Sequence, residues 1–157
     1  MADLRDAMDA NWMSYPQKDS TSFWKHEWEK HGTCSAPSIA SEHEYFAQAL
    51  ALYGKLDILG ALERAGITPG TRTYPTSDVA RALEDATGSA PILQCSKGQI
   101  NEVWFCVSKG LEVYSCGEAE LAGLGARGAL GGESKCSSSV QIPEIKHQEA
   151  GAGGTRR

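Results

Sequence analysis

The sequence predicts an α+β fold, with helices in the N-terminal half packed on an antiparallel sheet built from the C-terminal half. Two observations carry this reading. Apolar residues recur with a helical period as far as Gly88, and with a period of two from Pro91 onward. A chain of 157 residues with 41% hydrophobic content suits one compact domain with a real core and leaves little room for two. The expected boundaries are a single domain over residues 1–143 and a disordered tail over 144–157, which contains "KHQEAGAGGTRR".

The elements follow in order. Leu4, Met8 and Trp12 stand at helical spacing, so a short helix is expected over residues 3–12. "MSYPQKDSTS" is a polar, turn-rich loop. A second helix is expected over residues 22–31, with Trp24, Trp28 and His31 on one face at i, i+4 and i+7. Ser41 and Glu44 form a capping box, and Tyr45, Phe46, Ala49, Leu50, Leu52 and Tyr53 continue the helical period behind it. Gly54 is expected to interrupt this helix. Asp57 restarts one through Leu59 and Leu62 that closes at Gly66. After "TPGTRTYP" another helix is expected from Thr76 or Ser77 to Gly88. "PILQCS", "NEVWFCVS" and "LEVYSC" then read as strands, the last two joined as a hairpin at Lys109-Gly110. Residues 117–135 hold six glycines and read as a long loop with a nascent helix at 118–124, and "SSVQIP" reads as one more strand.

Composition narrows the function. The formal net charge is −5, which argues against broad adhesion to nucleic acid through a basic face. It leaves open RNA binding in a cleft where Lys and His are concentrated. Five cysteines fit no compact zinc pattern. Four of them, Cys95, Cys106, Cys116 and Cys136, cluster in the C-terminal part, which points to two disulfides and an oxidising compartment. Cys34 is left over. The first twelve residues show no apolar export segment, and no apolar run approaches a membrane-spanning length.

The stretch "FWKHEWEKHGTC" (23–34) carries the chemistry. His26 and His31 are five apart, so on an intact helix they diverge by about 140°, which sets aside a shared zinc ion. Glu27 and His31 are i, i+4, as are His26 and Lys30, and Glu27 and Lys30 are i, i+3. One turn therefore presents imidazole, carboxylate and ammonium together. An imidazole removes a proton from a hydroxyl near neutral pH, and an ammonium stabilises charge growing on a phosphorane. The bland alternative is a solvated amphipathic helix with Trp24 and Trp28 in the core.

"FWKHEWEKHGTC" resembles an active-site segment of the ribonuclease T-two family, the acid ribonucleases that include plant S-ribonucleases and their self-compatible relatives. "LRDAMDANW", "EYFAQALALYGKLDILGALERAGITP", "PILQC", "VWFCV", "VYSC", "GESKC" and "VQIP" resemble other parts of that family, so the likeness covers roughly residues 3–143. It implies an endoribonuclease that transfers the 3′-phosphoryl to the 2′-oxygen, giving a 2′,3′-cyclic phosphate that is later hydrolysed. It implies His31 as the base, Glu27 and Lys30 as stabilisers of the transition state and His26 as a phosphate contact. Phe23 and the loop of Ser14, Tyr15, Pro16 and Gln17 resemble the wall that holds a base, with ordinary loop and core packing as the equal alternative. The family pattern pairs Cys95 with Cys136 and Cys106 with Cys116. His43 and His147 are given no role. The implied partner is single-stranded RNA, with no cofactor, no metal, no membrane and a monomeric state. The implied location is extracellular, vacuolar or lysosomal.

One departure stands out. The family's H-G-L-W-P segment, which carries a second catalytic histidine, does not occur as a string in this sequence. The expectation is therefore the C-terminal two-thirds of such a ribonuclease, with the partner of Cys34 on the other part. A silent RNA-binding or interaction protein derived from the family is the rival reading, and a gene model that does not fold alone is the third.

Overall fold

The computed structural model describes residues 1–14, 20–117, 120 and 136–144. Among the described residues five α-helices and six short strands form, helices mostly before strands, and the architecture is α+β. The helices are α1 (Arg5–Asn11), α2 (Ser20–Lys30), α3 (Glu42–Leu56), α4 (Ile58–Arg64) and α5 (Thr76–Thr87). The strands are β1 (Thr73–Pro75), β2 (Ile92–Ser96), β3 (Gln99–Trp104), β4 (Cys106–Val107), β5 (Val113–Tyr114) and β6 (Ser139–Gln141). The Tyr15 loop, the helix expected near 118–124, the tail and His147 lie outside the described residues, apart from Glu120 and Glu144.

Local chemistry explains most boundaries. The Ser41 side chain accepts the Glu44 N–H at 3.2 Å, as a capping box requires, but the Glu44 carboxylate turns back to the Ala40 N–H at 3.0 Å rather than to Ser41. Gly54 does not interrupt α3, which runs on to Leu56. One glycine weakens a helix without breaking it when the flanking residues pack. The break comes at Asp57, whose φ of 38° is left-handed, and whose carboxylate accepts the Gly60 N–H at 3.3 Å to start α4. Gly88, at φ 74°, closes α5.

The main sheet has the order β1-β6-β3-β2, and β4 and β5 pair separately as a hairpin. β2 and β3 pair antiparallel around Lys97 and Gly98, which both take positive φ as a tight hairpin turn demands. The expected all-antiparallel sheet is corrected at one point: β6 meets β3 in parallel, at Gln99 and Gln141. β6 is inserted between β1 and β3 at the end of a long connection, so its direction is set by β1, with which it is antiparallel. The expected strand "NEVWFCVS" divides at Phe105, its first part joining the sheet and its second the hairpin. β1 lies within "TPGTRTYP", where no strand is expected; at three residues it is too short for periodicity to reveal.

Two apolar clusters form. Leu62, Val79, Leu83, Leu93, Ile100 and Val140 join α4 and α5 to the sheet. Met8, Trp24 and Phe46 join α1, α2 and α3, with Trp12, Trp28 and Tyr45 packed around them. The second cluster carries the segment of chemical interest.

Candidate active site

α2 is held before it is functional. Trp24 is buried, and its indole N–H donates to the Trp12 carbonyl at 2.7 Å. The Arg5 guanidinium lies 4.9 Å from the centre of the Trp24 ring and also reaches the Thr21 hydroxyl at 3.3 Å. These contacts fix the rotation of α2 about its axis. At 100° per residue, Trp24 and Trp28 then face the cluster, Phe23 packs at its edge, and His26, Glu27 and Lys30, spaced i, i+1 and i+4, share the other side.

His31 departs from the sequence expectation. On a continued helix it would fall on the face of Trp24 and Trp28. The helix ends at Lys30 instead. The His31 N–H still donates to the Glu27 carbonyl at 3.0 Å, but its φ of −122° and ψ of −49° leave the helical region. A short 3₁₀ turn, Gly32–Ser35, follows at once. The His31 ring thereby comes round to His26, edge to face, with centroids 5.8 Å apart. The argument that the two rings diverge is overturned, because it assumed an unbroken helix. One donor atom from each of His26, Glu27 and His31 lies within 4.8 Å of the others.

Gly32 makes the turn possible by its size. A Cβ there would stand 2.3 Å from Trp28 Cε3 and 3.2 Å from Tyr45 Cδ2, so the backbone rests directly on both rings. The Thr33 hydroxyl donates to the Glu29 carbonyl at 3.3 Å and the Ser35 hydroxyl to the Gly32 carbonyl at 2.5 Å, which tie the turn to the helix end.

The rings of His26 and His31 are exposed and Glu27 is half-buried. Behind Glu27 stands Tyr45 of α3, whose hydroxyl pKa is pushed up by burial and then by the negative charge of Glu27. Sequence reading took Tyr45 only as part of a core stripe. Its place beside the carboxylate depends on how α3 docks, for which no local signal exists.

The remaining expected site residues divide. Lys30 is exposed at the last position of α2, on the helix face of His26 and Glu27. Phe23 is half-buried and packs on the Met8–Trp24–Phe46 cluster. The Ser14 N–H donates to the Ser20 hydroxyl at 3.3 Å, at the start of α2. His43 of α3 pairs with Asp3 at 2.7 Å, away from the trio.

The disulfides Cys95–Cys136 and Cys106–Cys116 are formed, as the family pattern implies, and Cys34 is an exposed free thiol. The first joins β2 to the residues leading into β6, and the second closes the β4–β5 hairpin. No helix among the described residues is long and apolar enough to cross a membrane.

Comparison with known proteins bears on the family and the fold. The chain is 36% identical over 116 residues to ribonuclease 1 of Arabidopsis thaliana, covering 69% of this chain and 50% of that protein. It is 32% identical over 145 residues to extracellular ribonuclease LE of Solanum lycopersicum, covering 91% of this chain and 60% of that one. It spans between half and three-fifths of the length of these two relatives. Among solved structures, an RNase-related protein from Calystegia sepium superposes with a TM-score of 0.75 at 27% identity, over 90% of this chain and 68% of that one. RNase NT superposes with a TM-score of 0.73 at 31% identity, over 90% and 68%. The family model described as "Ribonuclease T2 family" matches residues 1–116, which include α1 to α5 and the whole of the 23–34 segment. The chain belongs to the ribonuclease T2 family.

Proposed function

We propose that this chain acts on single-stranded RNA, cleaving its phosphodiester bonds by transfer to the 2′-hydroxyl. The observation that carries the reading is the convergence of His26, Glu27 and His31 within 4.8 Å. His31 takes the proton of the 2′-hydroxyl, and the freed oxygen attacks phosphorus. The 5′-oxygen leaves with a proton from a second acid, and a 2′,3′-cyclic phosphate remains. Water then opens it to a 3′-phosphate. Lys30 and Glu27 stabilise the charge that builds on the phosphoryl oxygens, and His26 contacts the phosphate. These steps need no metal and no cofactor. RNase NT, whose fold this chain shares, has been solved in complex with 5′-AMP, which supports a nucleotide as the ligand.

The two disulfides support an oxidising location, outside the cell or in the vacuole or lysosome. Residues 1–143 act as one domain and as a monomer.

The test is release of acid-soluble product from polymeric RNA between about pH 4 and 8. His31→Ala should lower the rate by on the order of a hundredfold or more. Lys30→Ala and Glu27→Ala should weaken it, and EDTA should leave it unchanged. The resemblance places a second catalytic histidine in an H-G-L-W-P segment, and joining such a segment in cis should raise the rate by about a hundredfold or more. Rates indifferent to His31 in both forms would sink the reading.

A further inference from the structure

β3 and β6 belong to one sheet, yet their ladder is a single parallel pair, Gln99 with Gln141. Beyond that pair the two strands part. From Asn101 to Trp104, β3 has β2 on one side and no paired residue on the other among the described residues. Alternate N–H and C=O groups of a strand point to its two sides, so those on the open side have no ladder partner. No other backbone bond among the described residues reaches this stretch, which is exposed or half-buried. Where the strands part, a cleft of about 430 Å³ opens, lined by Ile100 and Val103 of β3, Ile142 and Pro143 after β6, and Ile58 and Leu59 of α4. Tyr53 of α3 also lines it, is 61% exposed, and borders a second cleft of about 270 Å³ beside Trp12 and Leu50. Among the described residues lining the first cleft only Asp57 is charged, and the chain as a whole carries −5.

We infer that this cleft is a docking site for one extended strand of a second polypeptide, apolar at alternate positions and basic at its ends, which adds to β3 from Asn101 to Trp104. A helix cannot take the place, because its N–H and C=O groups are spent within it. An extended strand offers those groups to β3 and sends every other side chain into the cleft. Pro143 has no N–H to give, so the ladder runs along β3 alone and the far edge of the strand rests on Ile142 and Pro143. The docked strand covers Tyr53, and its basic ends meet Asp57 and Glu102. A second copy of the chain fits less well. β3 laid antiparallel on its own copy brings two Glu102 carboxylates toward each other, and like charges across a ladder repel. Docking here is independent of RNA cleavage.

The experiment titrates the oxidised full chain into the peptide Lys-Val-Thr-Val-Thr-Leu-Lys, labelled with fluorescein, and reads anisotropy. Two further peptides carry N-methyl groups on alternate amides, one set on each edge. Methylating the edge that faces β3 should weaken binding by at least about tenfold, and methylating the other edge should change it little. Tyr53→Ser should weaken binding by about tenfold, since the docked strand buries that ring. Tyr114→Ser, exposed on the β4–β5 hairpin, should bind as the parent does. Circular dichroism shows that each variant is folded, and the methylated peptides test the site on the unaltered chain. With peptide bound, the open-side amides between Asn101 and Trp104 should exchange at least about tenfold more slowly. Absence of binding at millimolar peptide, equal sensitivity to the two methylated sets, indifference to Tyr53 or unchanged exchange along β3 would each overturn the inference. A chain that elutes as a dimer by itself, with the peptide competing against the dimer, would overturn it too, because the occupant would then be a second copy.

Discussion

The imidazoles of His26 and His31 meet edge to face, 5.8 Å apart, although five positions separate them and α2 is unbroken as far as Lys30. Their approach depends on where the helix stops. One more helical turn would carry His31 to the side of Trp24 and Trp28 and dissolve the trio.

Gly32 sets that stopping point, so its replacement is a direct test. Gly32→Ala places a methyl group 2.3 Å from an atom of the Trp28 ring. The neighbours are aromatic and packed, and overfilling a tight site costs about 1–3 kcal/mol. Urea denaturation should show a loss of that size. A variant as stable as the parent would mean that Trp28 moves freely, contrary to the packing described.

Gly54 predicts the opposite sign. It lies inside α3, exposed, with open space around the position of a Cβ. Gly54→Ala should raise stability by about 0.5–1 kcal/mol, through helix propensity alone. A raised melting temperature with unchanged RNA cleavage is the expected result. A fall would show a contact at that surface.

Asp57 combines two roles that substitutions separate. Its carboxylate caps α4 through Gly60 and pairs with Arg64 at 3.0 Å, while its backbone holds a positive φ. Asp57→Ala loses the cap and keeps the steric cost, so it should destabilise by about 0.5–2 kcal/mol. Asp57→Gly loses the cap but relieves the backbone, and should cost only a few tenths of that scale. Equal losses would show that the left-handed backbone is not strained. Gly60 must stay small for the same reason, since a Cβ there would meet the Asp57 carboxylate.

Asp3 gives a pH signature. Its carboxyl is held at about 2, first by the hydrogen bond to His43 and next by the chain's amino terminus, against an ordinary 3.8. A depressed carboxylate contributes stability above its unfolded value and loses it as the pH falls through its folded value. The contribution is therefore whole above about pH 4 and fades toward pH 2. Asp3→Asn should flatten that part of the acid-unfolding curve and leave the curve above it parallel to the parent's. The group is exposed, so salt should diminish the difference.

The parts of this structure that sequence chemistry foretold are those with local causes. The Ser41 cap, the Asp57 restart and the Gly88 stop each depend on residues within one turn of themselves. The order of helices before strands followed from the change of period near Pro91. The trio was only half legible. Spacing put Glu27 beside His31, but the two histidines seemed to point apart, because a helix end is set by packing as much as by propensity. Trp28 and Tyr45 set it here, and Tyr45 lies on another helix. The parallel contact of β6 with β3 was hidden for a similar reason, being decided by a strand that returns from far along the chain.

Every cross-link among the described residues lies on one side of the molecule. Cys95–Cys136 packs against the cluster of Leu83 and Val140, and Cys106–Cys116 closes a hairpin next to it. The Met8–Trp24–Phe46 cluster under the trio has none. Amide exchange should therefore split into two regimes under reductant. The protons of β2 and β6 should exchange faster once the thiols are free, as local opening no longer has to carry a covalent tether. Those of α2 should keep their rates, because their protection comes from three apolar side chains and an indole bond to Trp12. Among the described residues, the histidines thus sit on the half that no cross-link tethers.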